Sequence, residues 1–403
     1  MKPITKVTFI LGTKAQFIKS YPLLVNLNKK NIKLKIVDTC QHKNTTSTQL
    51  DTLGFEFEYK RISKNNEDID SITKLIGWFL ITVVKIIFSR ADKERSICIL
   101  HGDTASTLLG LIWAKKNKST IFHIESGSRS GNIYKPFPEE LIRLIVERFS
   151  HNLVCEYKFQ IKNLDKYKLT KEIIFSGYPT IVDSIFDNIS EELLLLNNNL
   201  KNNLIITIHR TENIYNQKNL LALIDLITEI KNNNYFHKII WFCHPPTIKI
   251  LKNNNYYEML IAEGIAIKEL LPYKDFLIEI YQSKCVLTDG GGVIQEATYL
   301  NIPLVVWRNK NKIDDQFLIN QIFDIKGNDI SYINSKNKVF AIKVLKSKID
   351  DYKFKKDLYD QINSSFSKSY FNDFANYYIN HLSSKHNLKR NYEELDKLLK
   401  SSE

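Results

Sequence analysis

Cysteine is scarce in this sequence, and its placement is uninformative. There are five in 403 residues: Cys40, Cys98, Cys155, Cys243 and Cys285. Their number is odd, no C-x-x-C spacing occurs, and most lie inside apolar runs, where cysteine acts as a small hydrophobe. That excludes a disulfide framework and a structural zinc site and fits a reducing compartment. No His/Cys/carboxylate group has ligand spacing, so no metal and no cofactor are expected. A cleaved leader is not expected either, because "MKPITKVTFILG" reaches a glycine after too short an apolar stretch. Long apolar runs are also missing. The longest is "KLIGWFLITVVKIIFSR", Lys74 to Arg90, with Lys85 the one charge inside its charged ends. It is too short to span a bilayer. The favoured reading is a buried helix of the first domain or a homodimer interface. The alternative is peripheral contact of 74–90 with a membrane. A cytoplasmic protein is expected.

Arginine is the rarer base. Of 57 Lys and Arg, nine are Arg, and the net charge is +13. Such a balance would suit nucleic acid. Yet no basic stripe is interleaved with aromatics, and Lys, Asn and Ile are spread along the whole chain, so no nucleic-acid partner is expected.

What is present is a series of short, β-branched apolar runs. They are Val7–Gly12, Leu34–Cys40, Ser96–His101, Thr120–Ile124, His151–Cys155 and Glu172–Ser176, then Asn203–Ile208, Lys238–Cys243, Ile265–Leu270, Lys284–Leu287 and Ile302–Val306. They read as strands buried on both faces, hence parallel. Segments of helical period such as "LLALIDLITEI" separate them. Strand then helix, repeated in two sets, predicts an α/β protein of two doubly wound, Rossmann-like domains facing a central cleft. The division is 1–182 and 183–370, with a polar helical tail over 371–403 and an Asn-rich stretch around Asn197–Asn203 after the break. No internal repeat is found.

In such sheets ligands lie beyond the carboxyl ends of the strands. The residues there are Gly12-Thr13-Lys14, Gln41-His42, His101-Gly102-Asp103-Thr104 and Glu125-Ser126-Gly127, then His209-Arg210, His244-Pro245, Asp289 with its glycines, and Arg308-Asn309. Four of the nine arginines, Arg129, Arg143, Arg210 and Arg308, lie in or beside these segments, where the planar fork suits phosphate or carboxylate. The chain has 13 glycines and places three together, Gly290-Gly291-Gly292, between a strand and a helix. There glycine permits close approach of a ligand, and a helix N-terminus offers N–H groups to a phosphate. Glu296 lies one turn further in and could accept hydrogen bonds from ribose hydroxyls. A plain tight turn would look the same. Asp103 and Glu125 could equally be helix N-caps, Glu139 after Pro138 a favourable helix start, His244 an ordinary loop residue, Lys19 a solvated helix face and Phe276 a core residue.

Five motifs are more specific together: "GTKAQFIK" (Gly12–Lys19), "HGDTASTL" (His101–Leu108), "HIESGSRSGNIYKPFPEELIR" (His123–Arg143), "ITIHRTEN" (Ile206–Asn213) and "TDGGGVIQEA" (Thr288–Ala297). In this order the chain resembles the non-hydrolysing UDP-N-acetylglucosamine 2-epimerases, over roughly residues 5–310. The resemblance implies the GT-B architecture and a UDP-sugar substrate in a route to surface polysaccharide. In that family C2 loses its proton, UDP leaves C1, and UDP adds back to the glycal with the opposite C2 configuration. It implies that Asp103, Glu125, Glu139 and His209 are catalytic, and that Lys19 and Arg143 supply positive charge in the same site. Gly290, Gly291 and Glu296 would meet diphosphate and ribose, with Gly292 completing the loop. His244 and Phe276 would lie on the nucleotide side, and Gln41 and His42 near the sugar.

The chain also departs from the family pattern. Gly12-Thr13-Lys14-Ala15-Gln16 stands where the family usually has G-T-R-P-E, so Lys14 keeps the charge without the fork and Gln16 removes a carboxylate. Gly290 replaces a usual serine. After Arg308, "NKNKIDD" replaces a T-E-R-P-E segment. A glycosyltransferase, a hydrolysing epimerase and, more distantly, a non-enzymatic nucleotide-sugar sensor are the alternative readings.

Overall fold

The computed structural model describes residues 6–42, 53–63, 69, 72–92, 94, 96–131, 133, 137–176, 179–189, 202–300, 302–307 and 330–333. They form two compact units that meet in the sequence between Thr180 and Ile181. The predicted helical tail 371–403 lies outside the described residues, as does Arg308.

In the first unit, β1 (Lys6–Leu11) leads to α1 (Lys14–Lys29), followed by β2 (Lys33–Asp38), β3 (Glu58–Arg61) and α2 (Ile72–Phe88). Next come β4 (Ile97–His101), α3 (Ala105–Lys116), β5 (Thr120–Ile124), α4 (Glu139–Phe149), β6 (Asn152–Cys155), α5 (Lys158–Asn163) and β7 (Glu172–Phe175). The strands make a seven-stranded sheet in the order β3-β2-β1-β4-β5-β6-β7. All its pairings are parallel. Alternation within one strand sorts the core. Phe9 and Leu11 pack with Phe17, Leu23 and Leu24 of α1, whereas Ile10 faces Trp78 and Ile86 of α2 and Leu109 of α3. Both faces are covered, which is why the strands read as continuous apolar runs.

The second unit runs α6 (Ile181–Asn188), β8 (Asn203–Thr207), α7 (Thr211–Ile214), α8 (Gln217–Asn232) and β9 (Lys238–Cys243). It continues with α9 (Pro245–Asn253), α10 (Tyr256–Ala262), β10 (Ala266–Glu269), α11 (Tyr273–Tyr281), β11 (Cys285–Thr288), α12 (Gly291–Tyr299), β12 (Leu304–Trp307) and β13 (Ile330–Ile333). Its six-stranded parallel sheet has the order β10-β9-β8-β11-β12-β13. Leu204 and Ile206 face α8, and Ile205 faces α11 and α12.

The two orders fix where chemistry can gather. In each sheet the first strand of its unit, β1 or β8, is flanked by strands reached in opposite directions. The crevice of such a sheet opens at that switch, beyond β1 and β4 in one unit and beyond β8 and β11 in the other. All five cysteines are free and buried. No helix among the described residues is long and apolar enough to cross a membrane. The apolar run 74–90 forms α2, and only one face of it is covered. Trp78, Thr82 and Ile86 are buried, while Ile76, Leu80, Ile81, Val84, Ile87 and Phe88 are each more than half exposed.

Candidate active site

In the first unit two carboxylate–cation pairs form at the strand ends. Glu125 directly follows β5 and has φ of 67°, a left-handed conformation that a residue with a Cβ adopts at a cost of about 1–3 kcal/mol. This bend carries its carboxylate to the Lys19 ammonium, which reaches across from α1 in a short ion pair. Both side chains are 18% exposed. Burial alone would raise the Glu125 pKa, but the Lys19 charge, the nearby His101 ring and a hydrogen bond from Lys19 hold it well below the usual carboxylate range. Burial works against the Lys19 charge. The carboxylates of Glu125 and Glu156, with Asp103 further off, outweigh it and raise the ammonium pKa. Each partner therefore keeps the other charged.

The second pair is Asp103 with Arg143. A short ion pair joins Arg143 Nη2 to Asp103, while Nη1 donates to Glu140 Oε2 at 2.8 Å and to the Ser128 carbonyl at 3.3 Å. Burial opposes the Arg143 charge; Asp103 and Glu140 outweigh it. Asp103 sits behind Gly102, whose φ of 69° makes the turn after β4. Buried His123 pins that turn. Its pKa is lowered, chiefly by burial, and the neutral ring bonds through Nε2 to the Gly102 carbonyl oxygen at 2.8 Å. Neither carboxylate is a helix N-cap: Thr104 caps α3, accepting from the Thr107 N–H, and Glu125 lies in the turn that follows β5. Glu139 opens α4 and is half-buried beside Glu140.

The remaining first-unit residues divide. Gln41 Oε1 accepts from the Ser106 N–H at 3.1 Å and its hydroxyl at 2.8 Å, bracing the end of β2 on α3. The His42 N–H bonds to the Gly12 carbonyl at 2.9 Å. Lys14 starts α1 and is part-exposed. Gln16, where a carboxylate was missed in the sequence pattern, is buried and fully used. Its Nε2 donates to the His101 carbonyl at 2.9 Å and Thr107 Oγ1 at 3.0 Å, and its Oε1 accepts from the Gly12 N–H at 3.1 Å. A carboxylate could not make those two donations, so the amide joins β1, α1 and β4.

Sequence reasoning noted His101 and Arg129 near the strand ends without assigning them partners, and missed Glu147 and Glu156. His101 ends β4, buried, with Nε2 3.6 Å from Glu125 Oε1 and Nδ1 3.3 Å from Ser20 Oγ. Glu156 follows β6, the sheet neighbour of β5, and is also buried. One donor atom from each of His101, Glu125 and Glu156 lies within 4.8 Å of the others, a spacing that ligand counting along the chain does not reveal. The positive charge in this cluster is Lys19. Arg129 and the fully buried Glu147 make a two-pronged ion pair at 2.8 and 2.5 Å, and Glu147 also accepts from the Gly127 N–H at 2.7 Å. They brace the loop after β5 on α4.

In the second unit the centre is Asp289, at the end of β11 and completely buried. It accepts from the His209 N–H at 3.1 Å, the Arg210 N–H at 2.9 Å and Asn213 Nδ2 at 2.8 Å. His209 Nδ1 stands 3.3 Å from the same carboxylate. The His244 ring, from the end of β9, lies with its centre 4.6 Å from that of His209. Gly290, Gly291 and Gly292 turn into α12 without positive φ, since Gly290 has φ −85° and ψ 126°. Left-handed geometry is therefore not why they are glycines. At Gly290 the reason is crowding, because a Cβ there would stand 2.8 Å from His209 Cε1. At Gly291 and Gly292 the helix start is exposed, with no side-chain cap on α12. Glu296 is buried under that start, beside the Tyr273 phenol. Burial first, then the nearby Glu296 charge, keep that phenol protonated. Phe276 packs edge-on to Phe242 at 5.6 Å, as a part-exposed member of the core.

Two doubly wound parallel sheets, one ending in ion-paired carboxylates and the other in a bare glycine-opened helix with a histidine beside it, define an α/β nucleotide-sugar enzyme of the GT-B fold. The chain belongs to the UDP-N-acetylglucosamine 2-epimerase family, a family of isomerases, which it matches over residues 26–316. The UDP-N-acetylglucosamine 2-epimerase of Methanocaldococcus jannaschii is 30% identical over 320 residues, which make up 76% of this chain and 84% of the relative. That of Campylobacter jejuni is 26% identical over 327 residues, 76% and 82% of the two chains. The crystal structure of the M. jannaschii UDP-GlcNAc 2-epimerase in complex with UDP-GlcNAc and UDP aligns with TM-score 0.70 at 26% identity, covering 86% of this chain and 93% of that one. A UDP-glucosyltransferase from Polygonum tinctorium shares the fold alone, at TM-score 0.54 and 11% identity.

Proposed function

We propose that the protein epimerises C2 of a UDP-activated N-acetylhexosamine, interconverting UDP-N-acetylglucosamine and UDP-N-acetylmannosamine. The observation that carries the chemistry is the pairing of Glu125 with Lys19 and Asp103 with Arg143. Lys19 holds Glu125 ionised, and Asp103 is ion-paired to Arg143, so an anionic base is available at neutral pH. The C2–H bond breaks toward a first-unit carboxylate, and its electron pair forms the C1=C2 bond. The C1–O bond breaks with its electrons on UDP. UDP oxygen then re-forms the C1 bond while a proton returns to the opposite face of C2. Asp103, Glu125 and Glu139 handle protons and hold the sugar, with Lys19, Arg143, Gln41 and His42 around them. His209 faces the departing diphosphate, the amides of Gly290–Gly292 receive it, Glu296 takes the ribose, and His244 and Phe276 serve the nucleotide side. Lys14 supplies further positive charge.

The reaction has a label-based test. Incubating the enzyme with UDP-N-acetylglucosamine in heavy water should place deuterium at C2 and yield UDP-N-acetylmannosamine, followed by proton NMR. Free UDP with free N-acetylmannosamine would select hydrolysis. Turnover only after addition of an acceptor, without exchange, would select transfer. UDP binding with no turnover would select a sensor.

We also propose that a second copy of the chain covers the open face of α2. Ile76, Leu80, Val84 and Ile87 form a stripe on one side of a helix that carries no acidic residue. Contiguous apolar surface of that kind is uncommon on a monomer, and an isologous two-fold contact would bury it twice over. Sedimentation should give a dimer for the native protein and a monomer for Leu80→Glu/Val84→Glu. A monomeric native protein that co-sediments with anionic vesicles would assign the face to a membrane instead.

A further inference from the structure

We infer that Glu156 is a positioning residue for proton transfer at Glu125: a buried carboxyl that shares the Lys19 ammonium and remains neutral, so that Glu125 carries the negative charge of the pair. This deepens the proposed function, since it takes Glu125 as a proton-handling group.

The geometry comes from sheet order. Strands β5 and β6 are parallel neighbours with Ile124 opposite Val154, so the residues just past their ends emerge together. Glu125 and Glu156 are those residues, and their carboxylates meet with His101 inside one 4.8 Å group. The Glu156 backbone is fixed, because its N–H donates to Gln160 Oε1 at 2.6 Å while Gln160 Nε2 donates to Ser128 Oγ at 2.7 Å. Its side chain is fixed too, as Oε1 accepts from the Thr180 N–H at 3.2 Å.

The charges facing it come from every packed element: Lys19 on α1, His101 at the end of β4, Glu125 at the end of β5 and the Cys155 thiol beside it on β6. Glu147 reaches Cys155 and Arg129 opposes it, while Asp103 acts on Lys19. One ammonium cannot balance two adjacent buried carboxylates, so the less well paired acid keeps its proton. Burial and then the Glu125 charge push Glu156 up to about 8; Lys19 and the Thr180 N–H pull it back less strongly. The pair thus holds one proton at neutral pH. When Glu125 accepts a proton from C2 the pair holds two, and when it returns one the starting state is restored. Above about pH 8 Glu156 ionises, and a second negative charge then competes for Lys19.

Infrared titration of the full-length protein tests this without any assay of turnover. A protonated-carboxyl stretch should disappear with a midpoint near pH 8 in the native protein and be missing in Glu156→Gln. In Glu125→Gln it should disappear at lower pH, because Glu156 then has Lys19 to itself. In kinetics, kcat of the native enzyme should fall above pH 8, and Glu156→Gln should push that fall to higher pH, raising the ratio of kcat at pH 9 to that at pH 7. A basic limb unchanged in folded Glu156→Gln, or no carboxyl titrating near pH 8 in the native protein, overturns the inference. If Glu156→Gln does not fold, the native and Glu125→Gln titrations still decide it. If no epimerisation is found with any UDP-sugar, the proposed function fails and the infrared result stands alone.

Discussion

Glu125→Gln will leave the protein folded and lower kcat by about 10²- to 10⁴-fold, the usual contribution of a positioned acid–base group. Gln matches Glu in shape but can neither take up a proton at C2 nor return one. The expectation that the fold survives has a physical basis. Stripping the partner from a buried ammonium ordinarily costs about 3–5 kcal/mol, because an uncompensated charge remains. Here Glu156 stands in the same group and can lose its proton to become the new partner of Lys19. The cluster keeps its net charge and loses its base. Thermal melting within a few degrees of native, together with a collapse of both C2 exchange and product formation, is the expected pair of results. Near-native kcat in a folded Glu125→Gln would remove Glu125 from the chemistry. Loss of folding would mean that Glu156 does not take over the charge.

Glu156 as a stand-in partner for Lys19 is not visible in the sequence, although much of the fold is. The parallel sheets were readable because every central strand is buried on both faces and so appears as an unbroken apolar run. Two strands escaped. Glu58–Arg61, "EYKR", is an edge strand with largely exposed side chains, and Ile330–Ile333 forms the edge of the second sheet. The strand-end rule found Asp103, Glu125 and His209 because these follow obvious strands. Glu156 also follows one, but "VCEYK" ends in mixed charge, and only the pairing of β5 with β6 puts that carboxylate against Glu125. A search for acids at the ends of neighbouring strands would have found it. Gln16 misled in the opposite way. It stood out as a lost carboxylate, yet it is a buried amide whose donors and acceptor join three elements. Asp289 was visible as a strand end, but its role as receiver of three N–H donors depends on β8 and β11 lying side by side.

Gly290→Ala will lower kcat by about 10²-fold, the scale of a misplacement near 1 Å in a catalytic group, while stability stays within about 1 kcal/mol of native. The added Cβ meets His209 Cε1 at 2.8 Å, too close to be tolerated unmoved. What it meets is the outer end of a side chain that is 34% exposed, so the ring can swing away and the backbone need not. The cost therefore falls on the imidazole, which leaves its place 3.3 Å from Asp289 and against His244. Gly292→Ala is the contrasting variant. Its Cβ would meet only Glu296 Oε1, at 4.0 Å, an ordinary contact. Alanine in the first turn of a helix stabilises by up to about 1 kcal/mol over glycine, so the fold alone gives no reason for glycine there. If the start of α12 receives the diphosphate, the methyl group blocks close approach. Titration calorimetry should then show UDP affinity falling at least about tenfold, or 1.4 kcal/mol, with the protein melting no lower than native. Gly290 and Gly292 should separate cleanly, one acting through kcat and the other through UDP binding. Native UDP affinity in Gly292→Ala would place the diphosphate elsewhere, and native kcat in Gly290→Ala would show that the position of His209 does not matter to the reaction.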